Sequence, residues 1–121
     1  MSEHQEQVAL IQWAQMNERE YPALRMLHAI PNGGWRAKKT AVWLKAEGLR
    51  RGVPDLCLPV ARGGFHGMYL EAKFGYNKPT EHQEWWLEEL SKEGYDTVVC
   101  WSFEEARAAI LAYLAQEGGE E

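Results

Sequence analysis

Two cysteines in 121 residues are too few for a disulfide framework or a zinc quartet. Cys57 and Cys100 both fall in segments that read as strands, so they are expected to be reduced and buried as small core hydrophobes. Long apolar runs are missing as well. Nothing approaches the roughly 18 apolar residues that span a bilayer, so no membrane association is expected. The first residues, MSEHQEQVAL, carry acids where a signal peptide carries a basic stretch and an apolar core. Export is therefore not expected, and a cytoplasmic location is. The four histidines, His4, His28, His66 and His82, show no metal-ligand spacing. Repeats, low-complexity stretches and linkers are also lacking, which leaves one domain over 1–121 with a frayed tail at 116–121.

What is present is a globular composition, 45% apolar and 26% charged, with a formal net charge of −5. The charge is unevenly placed. Between Arg36 and Lys78 there are nine Lys/Arg and three acids, a net of +6; the remaining four basic and fifteen acidic residues carry −11. A basic cluster inside an acidic chain is either a set of solvated faces or a surface for an anionic partner.

The hydrophobic pattern predicts a helix over 4–18 with Val8, Ile11 and Ala14 or Gln15 tracing one face. A strand is expected at 24–30, a turn at Pro31–Gly34, and a helix over 36–47 closed by Gly48. Strands follow at 55–60 and 65–74, joined by ARGG. Thr80 with Gln83 forms a capping-box pattern that opens a helix over 79–94. A strand at 95–101 precedes a second capping-box pattern, Ser102 with Glu105, and a last helix. The order α, β, α, β, β, α, β, α predicts an α/β fold: a mixed sheet flanked by helices.

One strand poses a chemical problem. Side chains alternate along a strand, so Glu71 and Lys73 share a face, roughly 7 Å apart, while Met68, Leu70 and Ala72 point into a core. In a hairpin Asp55 can lie beside Glu71, sixteen positions later. Two adjacent carboxylates repel, which raises a pKa. A divalent cation relieves that repulsion, and hard oxygen ligands favour Mg²⁺ or Mn²⁺. Such an ion activates water and stabilises a phosphodiester in transition, with Lys73 orienting the water or offsetting the developing charge. The other reading of the same spacing is a cross-strand salt bridge to Lys73, and the spacing alone leaves both open.

The residues Pro54-Asp55, then Glu71-Ala72-Lys73, match the PD-(D/E)XK nuclease signature. Together with NGG before them and EHQEWWLEELSKEGY after them, they resemble the VRR-NUC family in its short stand-alone form, known from phage and bacteria. The resemblance extends from about Glu3 to Leu114. It implies an αβββαβ restriction-endonuclease-like core, dependence on Mg²⁺ or Mn²⁺, and DNA as substrate. Stand-alone members are associated with cutting Holliday junctions as homodimers; members joined to other domains act on flaps.

By the same resemblance, Asp55 and Glu71 are metal ligands, Lys73 is the catalytic lysine, and the Ala72 carbonyl faces the metal. The family places an acid of the first helix near the metal. Glu3 and Glu6 both qualify, with Glu3 preferred. Gln83 falls at the family's spacing after the lysine, as a residue supporting the site or as a helix cap alone. Asn32 also matches a family position. The candidate DNA contacts are Asn32, Arg36, Lys38, Lys39, Arg50, Arg51, Arg62 and Lys78. RRGVPD stands here where the family name refers to a VRR element.

Among the histidines, His66 near the hairpin is the best catalytic candidate. Trp85 and Trp86 cannot both face inward on one helix, so one of them is expected at the surface; Trp13 and Trp43 are further candidates for a contact between two copies. Two functions follow: a structure-selective endonuclease acting on branched DNA, with junctions ahead of flaps or single strands, or a DNA-binding module without catalysis.

Overall fold

The structure, a computed structural model, describes residues 2–31 and 38–118. Asn32, Arg36 and most of the expected 31–34 turn lie outside the described residues, as do the side chains of Lys38 and Lys39. The elements in chain order are α1 (Glu3–Met16), β1 (His28–Ala29), α2 (Lys38–Ala46), β2 (Leu56–Leu58), β3 (Met68–Ala72), α3 (Glu81–Lys92), β4 (Asp96–Cys100) and α4 (Phe103–Leu114). The sheet order is β1-β2-β3-β4, with β3 and β4 parallel and the other pairs antiparallel. The expected α/β fold with a mixed sheet is therefore the observed one.

Side chains of short polar residues set the helix starts. Ser2 caps α1 in a reciprocal box with Gln5, a start signal absent from the expected elements. Thr80 does the same for α3 with Gln83. The box expected at Ser102 forms only half: the Ser102 hydroxyl accepts the Glu105 N–H, but the Glu105 carboxylate accepts from Trp101 N–H at 2.8 Å instead of from Ser102.

Several strands are shorter than the hydrophobic pattern suggests. Residues 24–30 do not form one strand: Pro22 presets a 3₁₀ turn over Pro22–Met26 that buries Leu24, and only His28 and Ala29 pair. β2 stops at Leu58 because Pro59 has no N–H to donate. β3 loses its first three expected residues to a tight turn. Arg62 N–H donates to the Phe65 carbonyl at 3.2 Å and Phe65 N–H returns to Arg62 at 2.8 Å. Gly63 and Gly64 between them both lie at positive φ, as a twist-matched two-residue hairpin turn requires.

Leu56 and Leu58 of β2, Met68, Leu70 and Ala72 of β3, Leu10 and Ala14 of α1, and Ala106, Ile110 and Tyr113 of α4 form the core on one sheet face. The inward stripe of α1 is thus Leu10–Ala14; Val8, expected on it, is 40% exposed. α3 packs along β4 as the crossover between the two parallel strands. Both cysteines are unpaired and buried, and burial raises both thiols, Cys100 to about 11. The tail is not frayed through 118 as expected. Gly63 N–H donates to the Glu117 carbonyl at 2.8 Å, and Arg62 pairs with Gly118. No helix of the described residues is long and apolar enough to cross a membrane.

Candidate active site

The antiparallel register pairs Leu56 with Leu70, so the next step places Asp55 opposite Glu71 at the end of the hairpin. Asp55 is held from both sides. Its carbonyl accepts the Ile30 N–H at 2.8 Å, and its Oδ2 accepts the Ala72 N–H at 2.9 Å. The carboxylate thus replaces a backbone rung of the sheet, which fixes its direction. On the other side, Lys73 N–H donates to the Cys100 carbonyl at 2.8 Å and holds Lys73 in register beyond the last strand residue.

Approach to Asp55 from upstream is also fixed. Gly52 lies at φ 91°, and a Cβ there would meet the His82 backbone at 2.7 Å. Only glycine lets the segment before Asp55 pass this close to the start of α3.

Glu71 is 1% exposed and is the buried charged residue of the described chain. Burial, then the Asp55 charge and a hydrogen bond shared with Asp55, push its carboxyl up to about 8; Lys73 pulls the other way, and Glu3 adds to the rise. Glu71 Oε1 is buried with no hydrogen-bond partner among the described residues. An acceptor stranded in this way costs about 1–3 kcal/mol. The ion pairs found among the described residues are Glu89–Lys92 and Glu104–Arg107, both within helices, so a salt bridge to Lys73 is not what accommodates Glu71.

A pocket of about 680 Å³ opens between α1 and this end of the sheet, lined by Glu3, His4, Gln7, Asp55, Ala72 and Phe74 among others. The two acidic candidates of the first helix separate here. Glu3 lines the pocket, whereas Glu6 Oε1 accepts the Phe103 N–H at 3.3 Å and ties α1 to the start of α4. Gln7, Gln12 and Gln15 were not among the site candidates drawn from the sequence, and His4 stood there behind His66. Their signal was present: positions 3, 4, 7, 8, 11, 12 and 15 form one helical stripe, and all line the pocket.

Other candidates are placed as follows. Gln83 Oε1 accepts the Thr80 N–H at 2.8 Å, so its carbonyl is engaged in the helix cap. Arg50 and Arg51 are exposed just before the Val53–Asp55 segment, and exposed Lys78 follows Lys73 on the loop leaving β3. Arg62 is at the opposite end of the hairpin, in the tight turn, with its guanidinium donating to the Ala61 carbonyl. His66 also sits at that end, edge-on to Tyr95 at 5.8 Å, away from the carboxylates. Trp13 lies under the Arg107 guanidinium, Trp85 is exposed, and Trp86 is half-buried.

The donor set fits a hard divalent cation. Two carboxylates converge, one with an orphaned oxygen, and Mg²⁺ characteristically takes one or two carboxylates and keeps several waters. Among the described residues no group of three or more His, Cys, Asp and Glu is gathered closely enough to hold a metal ion, so the fit rests on the Asp55–Glu71 pair.

The VRR-NUC domain model matches residues 1–104. A solved VRR_NUC domain protein is similar at 28% identity and a TM-score of 0.82, covering 98% of this chain and 92% of that one. No curated protein matches the chain.

Proposed function

The chain belongs to the VRR-NUC domain family, a family of nuclease-type domains, and from that premise we propose a metal-dependent, structure-selective DNA endonuclease that resolves four-way junctions. The observation that carries this reading is the Asp55–Glu71 pair, with the buried Glu71 Oε1 left without a hydrogen-bond partner beside Lys73. A buried carboxyl pair of this kind is costly as bare structure and useful as a cation site.

Asp55 and Glu71 would hold Mg²⁺ or Mn²⁺, with the Ala72 carbonyl as a further ligand and Glu3 lining the same pocket. When bound, the cation supplies Lewis acidity that lowers the pKa of a water and offsets charge on the phosphodiester. Ala72 N–H keeps Asp55 aimed. Lys73, held in register by Cys100, presents its ammonium on the Glu71 side of the strand, where it orients a water or meets the charge developing on phosphate. To serve as a ligand, Glu71 would give up the proton that burial and Asp55 favour, so cation binding would be coupled to proton release.

Resolution of a junction takes two symmetric nicks, and each chain offers one Asp55–Glu71–Lys73 set. A twofold homodimer supplies both. Flap or single-strand cleavage is the second reading, favoured by the exposed Trp85 beside Arg50 and Arg51.

The test compares junction, flap, splayed-arm and linear duplex cleavage in identical salt, with Mg²⁺ and with EDTA. Paired nicks in opposing arms of the junction, Mg²⁺-dependent, from a species near twice 13.9 kDa, are expected. A monomer that releases singly nicked product moves the assignment to flaps. Junction binding without cutting in either condition leaves a binding module.

A further inference from the structure

A second cleft, of about 930 Å³, lies between α2 and α3, and its lining includes Lys45, Arg50, Arg51, His82, Trp85 and Trp86. No carboxylate is among these lining residues. We propose that this cleft binds an unpaired nucleotide of the DNA substrate, with Trp85 as the stacking platform and Lys45, Arg50 and Arg51 as phosphate contacts. The proposal rests on the nuclease reading, in its flap or single-strand form, for its ligand but not on any catalytic residue.

Three observations carry it. First, Trp85 is 55% exposed yet not loosely placed: Trp86 abuts it edge-on, with ring centroids 5.4 Å apart. Trp86 is itself pinned, since its Nε1–H donates to the Arg51 carbonyl at 3.0 Å. That bond and the Gly52–His82 approach lock the Arg50–Arg51 segment onto α3, so the cations and the indole have a fixed relation. Second, aromatic faces beside a cationic groove are what single strands require: bases stack without regard to sequence while phosphates meet lysine and arginine. A buried duplex base pair offers no face to an indole. Third, the charge pattern limits the site. On the other side of Trp85 the surface carries Glu81, Glu84 and Glu88 against Lys92, a net negative wall that repels phosphate. A strand therefore crosses the α2 side of Trp85 and turns toward Asp55, which follows Arg51 by only four positions.

Anisotropy of labelled oligothymidine and of a labelled blunt duplex, both in EDTA, tests this without any cutting. Stacking at roughly 1–3 kcal/mol per base predicts that Trp85→Ala weakens oligothymidine binding about 5- to 150-fold and duplex binding less than about twofold. Trp85→Phe should recover most of the loss, and both variants should melt with the parent protein. Neutralising Arg50 and Arg51 should flatten the salt dependence on oligothymidine by about 0.7 for each phosphate that is no longer neutralised. Unchanged oligothymidine binding in Trp85→Ala, or an equal loss on both ligands, overturns the proposal. So does a change from dimer to monomer in sedimentation with single-strand binding intact, which would make the patch a contact between two copies. If the parent protein binds oligothymidine through Trp85 but cuts no substrate, the nuclease reading fails and this one stands.

Discussion

The two ends of β3 are built from the same strand and the same two neighbours, yet they are finished in opposite ways. The Met68 end is tied by ring contacts and backbone hydrogen bonds. Tyr69 and Tyr95 meet edge-on at 5.2 Å, His66 packs on Tyr95, His66 N–H donates to the Gly94 carbonyl, and the Arg62–Phe65 turn is pinned by the tail at Glu117 and Gly118. At the Glu71 end two carboxyls are pressed together and one oxygen is stranded. One end is optimised for the fold alone. The other keeps a buried carboxyl pair with a stranded oxygen, the kind of costly arrangement that clusters at functional sites.

The largest effect should come from removing one charge at the costly end. Asp55→Asn or Glu71→Gln changes little in shape, and Mg²⁺-dependent cleavage should fall by roughly a thousandfold or more, with circular dichroism unchanged. Near-normal cutting by either variant would erase the distinction between the two ends.

Next comes Lys73→Ala. Cleavage should drop by orders of magnitude while calorimetry still reports cation binding, because an ammonium adds charge and hydrogen bonds but no metal bond. Loss of cation affinity with catalysis intact would reverse the roles given to Lys73 and the carboxyls.

A change at the finished end should act on stability only. Gly94 lies at φ 96°, and a Cβ there would meet the His66 ring at 2.7 Å. Gly94→Ala should cost about 1 kcal/mol or more and lower Tm by roughly 3–5 °C. Its Mg²⁺ dependence of cutting should match the parent protein. A shifted Mg²⁺ requirement would show that the ends are coupled through β3.

The last effect is confined to the cation-free protein. Glu71 titrates at about 8 when folded, against an ordinary value of 4.5. Between those values the folded state holds a proton that the unfolded state has lost, so stability declines as pH rises through the window and levels off above about pH 8. Glu71→Gln removes that titration. In EDTA its Tm should gain steadily on the parent protein as pH rises from about 5 to about 8, and the gain should level off above that. A constant difference in Tm across that range would place the raised carboxyl elsewhere.

Much of this was legible in the sequence. Thr80–Gln83 and Ser102 marked their helices because a cap is satisfied by residues three apart. The period of two put Met68, Leu70 and Ala72 into the core, as found. What misled were patterns whose outcome depends on distant partners. Val8 and Leu10 are equally apolar, and only the sheet beneath α1 decides that Leu10 is buried. Gln83 could not be assigned between cap and site from its spacing, and its carbonyl is engaged at Thr80. The tail looked free because its partner, Gly63, is more than fifty positions away.

The sequence by itself determined the residue types and their local order: a carboxylate opening one strand, a carboxylate and an ammonium sharing a face of the next, and glycines where the turn and close approaches need them. Tertiary structure decided everything that depends on removing water. Glu71 is acidic in the sequence, but it becomes a raised, half-satisfied carboxyl only once the sheet and helices close over it and Asp55 is turned toward it by Ala72. Likewise Glu3 and Glu6 are equivalent on a bare helix, and the start of α4 takes one while the pocket keeps the other. Caps and strand alternation are set within a few residues. Desolvation and charge proximity are set by whatever the fold brings from far along the chain, and those two effects make the chemistry of this site.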